Sequence, residues 1–303
     1  MYTVSIDIGG TYIKHALFSE NEVMIMQAKV ATPKNKESFK EALVTIINEY
    51  GSAYPIDGVG LSVPGYINNE NGYAEKAGSL FFLDGINFIS LIQDEVPYPV
   101  FIDNDANCAA LSESFSGNAK GLTDFFVMTL GTAVGGALYL NGGLYRGGQF
   151  KAGEFSLMRI NYGQAPNRTF YEYASASALL YRYQALKGQS AGEVSGERIF
   201  EEFNTDEEVK QLVLDWVDDI CVGIFNVVCI LNPQRVLIGG GVSANPLLVP
   251  LINERMKELY RWDHFEVPIV PCKYRNTAGV LGAYYMVKKG LNKEAQYLKE
   301  EIK

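Results

Sequence analysis

The chain has 303 residues, of which 48% are hydrophobic and 12% aromatic, enough for a packed core and for about two domains. Lysine and arginine number 26 against 35 acidic residues, and this net charge of −9 without a basic block argues against a nucleic-acid-binding protein. The longest apolar-looking segment, residues 222–231, is too short to span a bilayer, and the first residues lack the pattern of a signal peptide. We therefore expect a cytoplasmic protein with no nucleic-acid or membrane partner.

The first predicted elements surround an acidic residue. A strand over residues 3–8 breaks at Gly9-Gly10-Thr11, a second strand covers about 12–18, and a third begins near residue 22. Asp7 lies at the end of the first strand, and a buried acid is costly unless something pairs with it. Either this strand end is exposed to solvent, or Asp7 binds a cation.

The rest of the first half alternates helices and strands. Apolar spacing predicts a helix over residues 38–50, and residues 58–65 predict a strand ending in a loop. A further strand, 100–102, runs into Asp103-Asn104-Asp105 and then directly into a helix, which places these side chains near a positive helix N-terminus. Spacing alone leaves two alternatives open: a catalytic carboxylate, or Asp103 or Asp105 as the helix N-cap.

The second half repeats the opening pattern. Residues 125–130 predict a strand, Gly131-Thr132 a break, residues 137–140 a second strand and residues 141–143 a turn. A helix over 209–231, a strand from 235 that stops at Gly239-Gly240-Gly241, a helix over 245–260 and an amphipathic tail helix over 292–303 follow. We predict two α/β domains with a cleft between them: residues 1–118 with 288–303, and residues 119–287.

Glycine-rich hairpins present backbone N–H groups and allow a bulky anion to approach. A single hairpin of this kind is more often a simple turn, but here there is one in each half, and a third glycine cluster follows a strand at residues 239–241. Neither a Walker lysine nor Rossmann spacing accompanies them. The pattern favours a nucleotide bound in the cleft.

Five motifs carry a resemblance to a known family. The chain resembles the ROK (repressor, open reading frame, kinase) family of sugar kinases and repressors through "DIGGT" (7–11), "DNDANCAALSE" (103–113), "LGTAVGG" (130–136), "GEF" (153–155) and "LIGGGVS" (237–243). The resemblance implies the duplicated actin-like, ribonuclease-H-like α/β fold, with ATP and Mg²⁺ in a central nucleotide and sugar cleft. It also leads us to expect a homodimer.

The same resemblance implies roles for individual residues. Asp105 would be the catalytic base, and Asp7 would hold Mg²⁺ through water. The residues proposed to bind sugar are Gly65, Asn104, Asp105 and Glu154. The residues proposed to bind the nucleotide, its phosphates or its metal are Asp7, Gly9, Gly10, Thr11, Gly131, Thr132, Gly240 and Gly241.

The chain departs from the family pattern on the sugar side. Leu157 stands where the family has a histidine, and no cysteine lies between Cys108 and Cys221, so we expect no zinc. Tyr171 replaces a second sugar-binding glutamate, although Glu172 is adjacent, and Ser79 replaces an asparagine. The four cysteines show no disulfide or metal spacing, and we interpret all of them as reduced core residues.

These observations predict an ATP-dependent sugar kinase that phosphorylates the 6-hydroxyl of glucose or of a β-glucoside. Fructose and N-acetylmannosamine remain alternative substrates. A non-catalytic sugar sensor is a further alternative, and the altered sugar loops permit it. A transcriptional repressor is disfavoured, because repressors of the family carry a DNA-binding domain ahead of the first strand and only six residues precede Asp7 here.

Overall fold

The computed structural model describes residues 1–161, 163, 167–190 and 194–301, with side chains described up to residue 292. The chain forms two units. The first unit contains residues 1–115, 146–151 and the chain from 276 onward, and the second contains residues 116–145 and 152–275. These boundaries differ from the predicted ones, because the first unit takes in the segment 146–151 and the final helix from its first residue.

A five-stranded sheet forms the centre of the first unit, in the order β3-β2-β1-β4-β8. The strands are β1 (Tyr2–Ile8), β2 (Tyr12–Ser19), β3 (Met24–Ala31), β4 (Ile56–Val63) and β8 (Val100–Asn104). The first three form an antiparallel meander, and β4 and β8 add parallel to β1. The carboxyl ends of β1, β4 and β8 therefore meet at one edge.

A small antiparallel sheet is inserted between β4 and β8 in sequence. It contains β5 (Tyr66–Asn68), β6 (Tyr73–Lys76) and β7 (Ile86–Asn87), in that order. Only residues 64 and 65 separate its first strand from β4, so the turn that they form connects the central sheet to this insertion.

Four helices complete the first unit: α1 (Lys36–Ala53), α2 (Phe88–Ile92), α3 (Asp105–Ser116) and α10 (Ala278–Glu301). Helix α10 packs against β1, β4 and β8. A Cβ atom on Gly60 of β4 would lie 2.4 Å from the carbonyl oxygen of Ala283, so the glycine permits this close approach. The predicted tail helix over 292–303 is only the end of α10, and the predicted boundary at 288 falls inside it.

The second unit repeats the sheet of the first. Its strands are β9 (Phe125–Leu130), β10 (Val134–Leu140), β11 (Gly143–Tyr145), β12 (Arg235–Gly239) and β13 (Ile269–Pro271). Their order is β11-β10-β9-β12-β13, again an antiparallel meander extended by two parallel strands. Both the strand order and the strand directions match those of the first unit, which is the duplication that the hairpins predicted.

The helices of the second unit are α4 (Phe170–Ala174), α5 (Ala176–Lys187), α6 (Gly196–Glu202), α7 (Glu207–Leu231), α8 (Leu248–Met256) and α9 (Trp262–Phe265). Helix α7 lies in the core, where the indole N–H of Trp216 donates to the carbonyl oxygen of Ser175 at 3.1 Å. The predicted helix over 245–260 is shorter than expected. Its start is delayed because Asn245 Oδ1 accepts from the backbone N–H of Leu247, which holds a turn there.

The cysteines correct one expectation. Cys108, Cys221 and Cys272 are buried, as predicted, but Cys229 is exposed on α7 next to Ile230, which is 79% exposed. No helix in the described part of the chain has both the length and the apolar character needed to cross a membrane.

Candidate active site

Three polar side chains form a row across the carboxyl edge of the first sheet. Asp7 of β1 pairs in register with Ser62 of β4, and Ser62 pairs with Asp103 of β8. The hydroxyl of Ser62 donates to Asp7 Oδ1 at 2.8 Å. The Asp7 carboxylate is therefore partly buried and has a hydrogen-bonding partner in the neighbouring strand.

Asp105 is the first residue of α3 and lies beside this row. Asp105 is exposed at its surface, but the protein atoms packed around its carboxylate partly desolvate it. This desolvation, followed by the negative charge of Asp7, raises the pKa of Asp105 to about 6. Its Oδ1 accepts from the backbone N–H of Ala106 at 2.8 Å, which opposes part of that rise. A carboxylate with this pKa is largely ionised at neutral pH and is a stronger base than an ordinary aspartate.

Asn104 joins the start of α3 to the loop after β4. Its Oδ1 accepts from the backbone N–H groups of Ala106 at 2.8 Å and Asn107 at 3.3 Å, which makes Asn104 the N-cap of the helix. The alternative that Asp103 or Asp105 is the cap is therefore wrong. Asn104 Nδ2 donates one of its two hydrogens to the carbonyl oxygen of Gly65 at 2.8 Å. The second hydrogen of this amide is the one that could donate to a sugar hydroxyl, as predicted.

Gly65 is held in a conformation that other residues rarely adopt. Its φ is +104°, and a Cβ atom there would lie 2.0 Å from the carbonyl oxygen of Lys76. Both the backbone angle and the close approach require glycine. The carbonyl oxygen that Asn104 uses is thereby fixed in position.

Asp103 is fully buried and engaged on both oxygens. Arg146 Nε donates to its Oδ2 at 2.9 Å, and a second guanidinium nitrogen contacts the same oxygen. Oδ1 accepts from Asn107 Nδ2 and from the backbone N–H of Asn104, both at 2.8 Å. The side chain thus orients the residues before and after Asp105. Sequence reasoning missed Arg146, which lies 43 residues away and belongs to no motif.

The loop Gly9-Gly10-Thr11 is fastened through its carbonyl groups. Thr32 Oγ1 donates to the carbonyl oxygen of Gly9 at 2.7 Å, and Lys34 Nζ donates to that of Gly10 at 2.7 Å. The carbonyl oxygen of Thr11 accepts from the backbone N–H of Thr32 at 3.0 Å. These bonds fix the peptide planes of the loop and bring Lys34, which the sequence analysis did not single out, to the loop.

Ser79 lies directly against this loop. A Cβ atom on Gly10 would come 2.5 Å from Ser79 Oγ, so the glycine leaves the room that the serine occupies. The position where the family has a sugar-side asparagine is thus in contact with the proposed phosphate loop.

The residues around Asp7 suit a magnesium ion held through water. Lys14 Nζ lies 3.4 Å from Asp7 Oδ2, and this ammonium group competes with direct coordination of the carboxylate. Mg²⁺ takes one or two carboxylates together with phosphate oxygens and waters, and Asp7 supplies one such carboxylate. Within the described ranges no cluster of three or more His, Cys, Asp or Glu side chains is placed to hold a metal on its own.

In the second unit, the start of α5 supports the Gly131-Thr132 hairpin. The carbonyl oxygen of Gly131 accepts from the backbone N–H of Ala176 at 2.8 Å, and Ser177 Oγ donates to the carbonyl oxygen of Thr132 at 2.9 Å. The hairpin and the first turn of α5 therefore form one rigid piece.

The third glycine cluster lies against the same hairpin. Gly240 has φ +83°, and a Cβ atom there would be 2.2 Å from the carbonyl oxygen of Leu130, the residue before Gly131. Ser243 Oγ donates back to the carbonyl oxygen of Gly240 at 2.7 Å. A Cβ atom on Gly241 would meet nothing within 4 Å. The structure thus brings together the two nucleotide loops predicted in the second unit, and it leaves open backbone surface at Gly241.

Glu154 lies at the start of a short 3-10 turn, Phe155–Leu157, and is half-buried. The preceding Gly153 has φ +88°, and a Cβ atom there would lie 2.7 Å from the carbonyl oxygen of Gly136 in β10. Ser156 Oγ accepts from the backbone N–H of Val134 at 3.1 Å and also bonds its carbonyl. The loop that carries Glu154 is therefore bound to β10 on both sides of the glutamate.

The residues that differ from the family pattern on the sugar side lie in different surroundings. Leu157 is 58% exposed and Tyr171 is 38% exposed. Glu172 accepts from the backbone N–H and the hydroxyl of Thr169, both at 2.7 Å, which forms a capping box at the start of α4. Its carboxylate is thus engaged in helix capping. Part of the loop where the family has zinc ligands, residues 162 and 164–166, lies outside the described residues.

Known proteins share both the sequence and the fold. The ROK family model matches residues 3–290. A β-glucoside kinase from Listeria monocytogenes is 30% identical over 94% of this chain and 97% of its own length.

Solved structures agree over nearly the whole chain. A Listeria monocytogenes protein named as a candidate N-acetylmannosamine kinase is 29% identical, with a TM-score of 0.86 over 96% of this chain and all of its own. A ROK family protein from Streptococcus pneumoniae, solved in complex with sucrose, is 25% identical, with a TM-score of 0.85 over 98% of this chain and all of its own. The fold is the duplicated actin-like fold of ROK sugar kinases. The predicted resemblance is confirmed, and this chain belongs to the ROK family.

Proposed function

We propose that the protein is an ATP-dependent sugar kinase that phosphorylates the 6-hydroxyl of glucose and of β-glucosides. The observation that carries this proposal is Asp105, a carboxylate at the head of α3 whose pKa is raised to about 6 by desolvation and by the neighbouring Asp7. Phosphoryl transfer needs a group that accepts the proton of the attacking hydroxyl, and a base works best when its pKa is near the working pH. The similarity to a β-glucoside kinase supports the reaction class.

In the proposed reaction, the sugar hydroxyl oxygen attacks the γ-phosphorus of ATP and forms the new O–P bond. Its proton passes to the Asp105 carboxylate, and the bond from the γ-phosphorus to the bridging oxygen breaks, so ADP leaves with the electron pair. Asn104 holds the loop at Gly65 beside Asp105 through its 2.8 Å bond. This fixed geometry orients the hydroxyl that loses its proton.

The nucleotide residues take the following proposed roles. Gly9, Gly10 and Thr11 face the transferring phosphate, Gly131 and Thr132 hold phosphates, and the open backbone at Gly241 beside Gly240 accommodates ribose and adenine. A bound Mg²⁺ supplies charge stabilisation on phosphate oxygens. Asp7 orients its water shell, with Lys14 and Ser62 keeping that carboxylate in place. Since ATP is the phosphoryl donor, we place the reaction in the cytoplasm, and we propose a homodimer.

The proposed substrate preference rests on the sugar side of the site. Leu157, Tyr171 and Ser79 stand where the family has polar sugar contacts, and a buried sugar hydroxyl without a partner costs about 1–3 kcal/mol. A sugar with a glycosidic substituent at its anomeric carbon has one such hydroxyl fewer. The β-glucoside kinase relative supports this class, whereas the structural relative named for N-acetylmannosamine favours the competing class.

An ADP-release assay with ATP and Mg²⁺ tests the proposal on glucose, cellobiose, fructose and N-acetylmannosamine. We expect the highest kcat/KM on glucose or cellobiose, with the 6-phosphate identified by NMR. Strong preference for N-acetylmannosamine would overturn the specificity. Absence of turnover on every sugar would overturn the kinase proposal and favour the sugar-sensor alternative, and sedimentation at two concentrations tests the dimer.

A further inference from the structure

A cavity of about 380 Å³ lies entirely within the first unit, next to the small sheet. Three aromatic side chains line it, Tyr66, Tyr73 and Phe150, together with Glu75, Lys151 and two amide side chains. Its volume falls within the range of about 300–1,000 Å³ that is usual for small-molecule sites. No residue of the motifs or of the proposed reaction lines it.

The charges in this cavity cancel. Lys151 Nζ and a Glu75 carboxylate oxygen form an ion pair at 2.7 Å, and the same ammonium group lies 5.3 Å from the centroid of the Tyr66 ring. A nucleotide or a sugar phosphate would find no excess positive charge here. Aromatic faces beside paired charges and amides fit an uncharged ligand that has both apolar faces and hydroxyl groups.

The cavity is connected to the candidate active site by two routes. Tyr66 directly follows Gly65, whose carbonyl oxygen accepts from Asn104 at 2.8 Å, and Asn104 precedes Asp105. Two peptide links and one side-chain hydrogen bond thus join the Cα atoms of Asp105 and Tyr66, which lie at most roughly 16 Å apart. A disaccharide and the side chains of the two residues can cover that span.

The second route is the segment 146–151, which is fastened at both ends. Arg146 binds the buried Asp103, and Lys151 binds Glu75. Between them, Phe150 has φ +57°, a left-handed conformation that is unfavourable for an aromatic residue. Residues held in this way are frequent at ligand sites, where the surrounding structure maintains them. The strained backbone places the Phe150 ring in the cavity wall.

We propose that this cavity is a subsite for the aglycone, or the second sugar ring, of a β-glucoside whose 6-hydroxyl reacts at Asp105. The proposal rests on the proposed kinase function and identifies where its preference for glycosides originates. The apolar C–H face of a pyranose or an aromatic aglycone packs on Tyr73 and Phe150, and its hydroxyl groups meet the polar wall. Free glucose does not reach the cavity.

Truncation of Tyr73, which is 41% exposed, tests the subsite. In Tyr73→Ala we expect kcat/KM for cellobiose and for 4-nitrophenyl β-glucoside to fall about tenfold, mainly through KM, while glucose changes less than about twofold. Tyr73→Phe should retain the wild-type values, because it keeps the ring. The matched control is Tyr260→Ala, a tyrosine 80% exposed in the second unit. Equal effects on glucose and glucosides, or no effect on either, would overturn the subsite.

A second variant and a binding measurement complete the test. Phe150→Gly removes another ring and suits the positive φ, so it should show the same selective loss even if Tyr73→Ala fails to fold. Calorimetric titration with cellobiose, without ATP, measures binding affinity at the subsite independently of turnover. If the wild type phosphorylates nothing, cellobiose binding that is lost in the variants still supports the subsite while the kinase proposal fails. Binding that is absent in the wild type, or unchanged in the variants, rejects the subsite.

Discussion

The carboxyl edges of the two sheets occupy the same place in a duplicated fold but carry different chemistry. In the first unit, the in-register row across three strands is Asp7, Ser62 and Asp103. In the second unit, the equivalent row is Thr129 and Gly239, with the Cys272 thiol beside them. The first edge carries two carboxylates and has Asp105 next to it, whereas the second edge is neutral.

The two units thus share strand order and strand direction, but the residues at their carboxyl edges suit different chemical roles. Glycine and backbone groups dominate the second edge, where Gly240 packs on Leu130 and the Gly131-Thr132 hairpin is bound to α5. Such an edge suits an anion. The first edge can accept a proton, because desolvation and the charge of Asp7 raise the pKa of Asp105.

The largest effect is expected from removing the proton acceptor. Asp105→Asn should lower kcat by at least about a hundredfold, the usual scale of general-base catalysis, because the amide cannot accept the hydroxyl proton. Steady-state kinetics measures the loss, and nucleotide affinity should persist. The control is Asp94→Asn, which changes an exposed acid of the same unit. Turnover near that of the wild type would remove Asp105 from the mechanism.

Two ion pairs, one in each unit, should differ in their contribution to stability. Arg146→Met leaves the buried Asp103 without its cation and should cost about 3 kcal/mol, the low end for a broken buried pair, since Asp103 keeps two N–H donors. Arg255→Met breaks a bidentate pair with Asp218 that is partly exposed and should cost less than about 1 kcal/mol. Urea unfolding compares them, and equal losses would contradict the assignment.

The pH dependence should follow Asp105. Its pKa in the folded chain is raised to about 6 from an ordinary 3.8, so its contribution to stability is present below pH 3.8 and is lost as the pH rises through 6. Because Asp105 is exposed at its surface, solvent screens much of this effect, so relative to Asp105→Asn the wild type should lose well under the full value of about 3 kcal/mol between pH 4 and 8. Over the same range its kcat/KM should rise through pH 6 and level off. Parallel stability curves for the two proteins would reject the raised pKa.

The smallest effect concerns the second unit. Glu172→Ala removes half of the capping box at α4 and should cost about 1 kcal/mol, without changing KM for any sugar. Thermal unfolding and sugar kinetics separate the two roles. A large rise in the KM for glucose would mean that Glu172 leaves the cap to bind sugar. It would then replace the sugar-binding glutamate that the family pattern has at position 171.

Local signals predicted much of this molecule. Glycine breaks and apolar runs identified both hairpins, and the strand that leads into Asp103-Asn104-Asp105 correctly placed Asp105 at a helix start. The choice of N-cap was open because three consecutive residues all have side chains that cap helices, and only the three-dimensional structure assigns Asn104.

The remainder depended on contacts between distant parts of the chain. The Arg146–Asp103 pair joins residues 43 positions apart, so no local pattern indicates it. The beginning of α10 was missed because residues 280–287 are buried nearly all round, which removes the amphipathic signal of a helix. The aromatic cavity was also not predictable from local patterns, since it forms between the small sheet and the segment 146–151, which are far apart in sequence.

The path of the chain through the first unit has a consequence for protein synthesis. Helix α10 packs on β1, β4 and β8, so the face of the first sheet that it covers stays uncovered until residues 278–301 have left the ribosome. The second unit, which ends at residue 275, has all of its strands before that point. The amino-terminal unit therefore finishes folding last, against the usual order in which domains fold as they emerge. A chain truncated before residue 276 would present apolar sheet surface to chaperones and proteases.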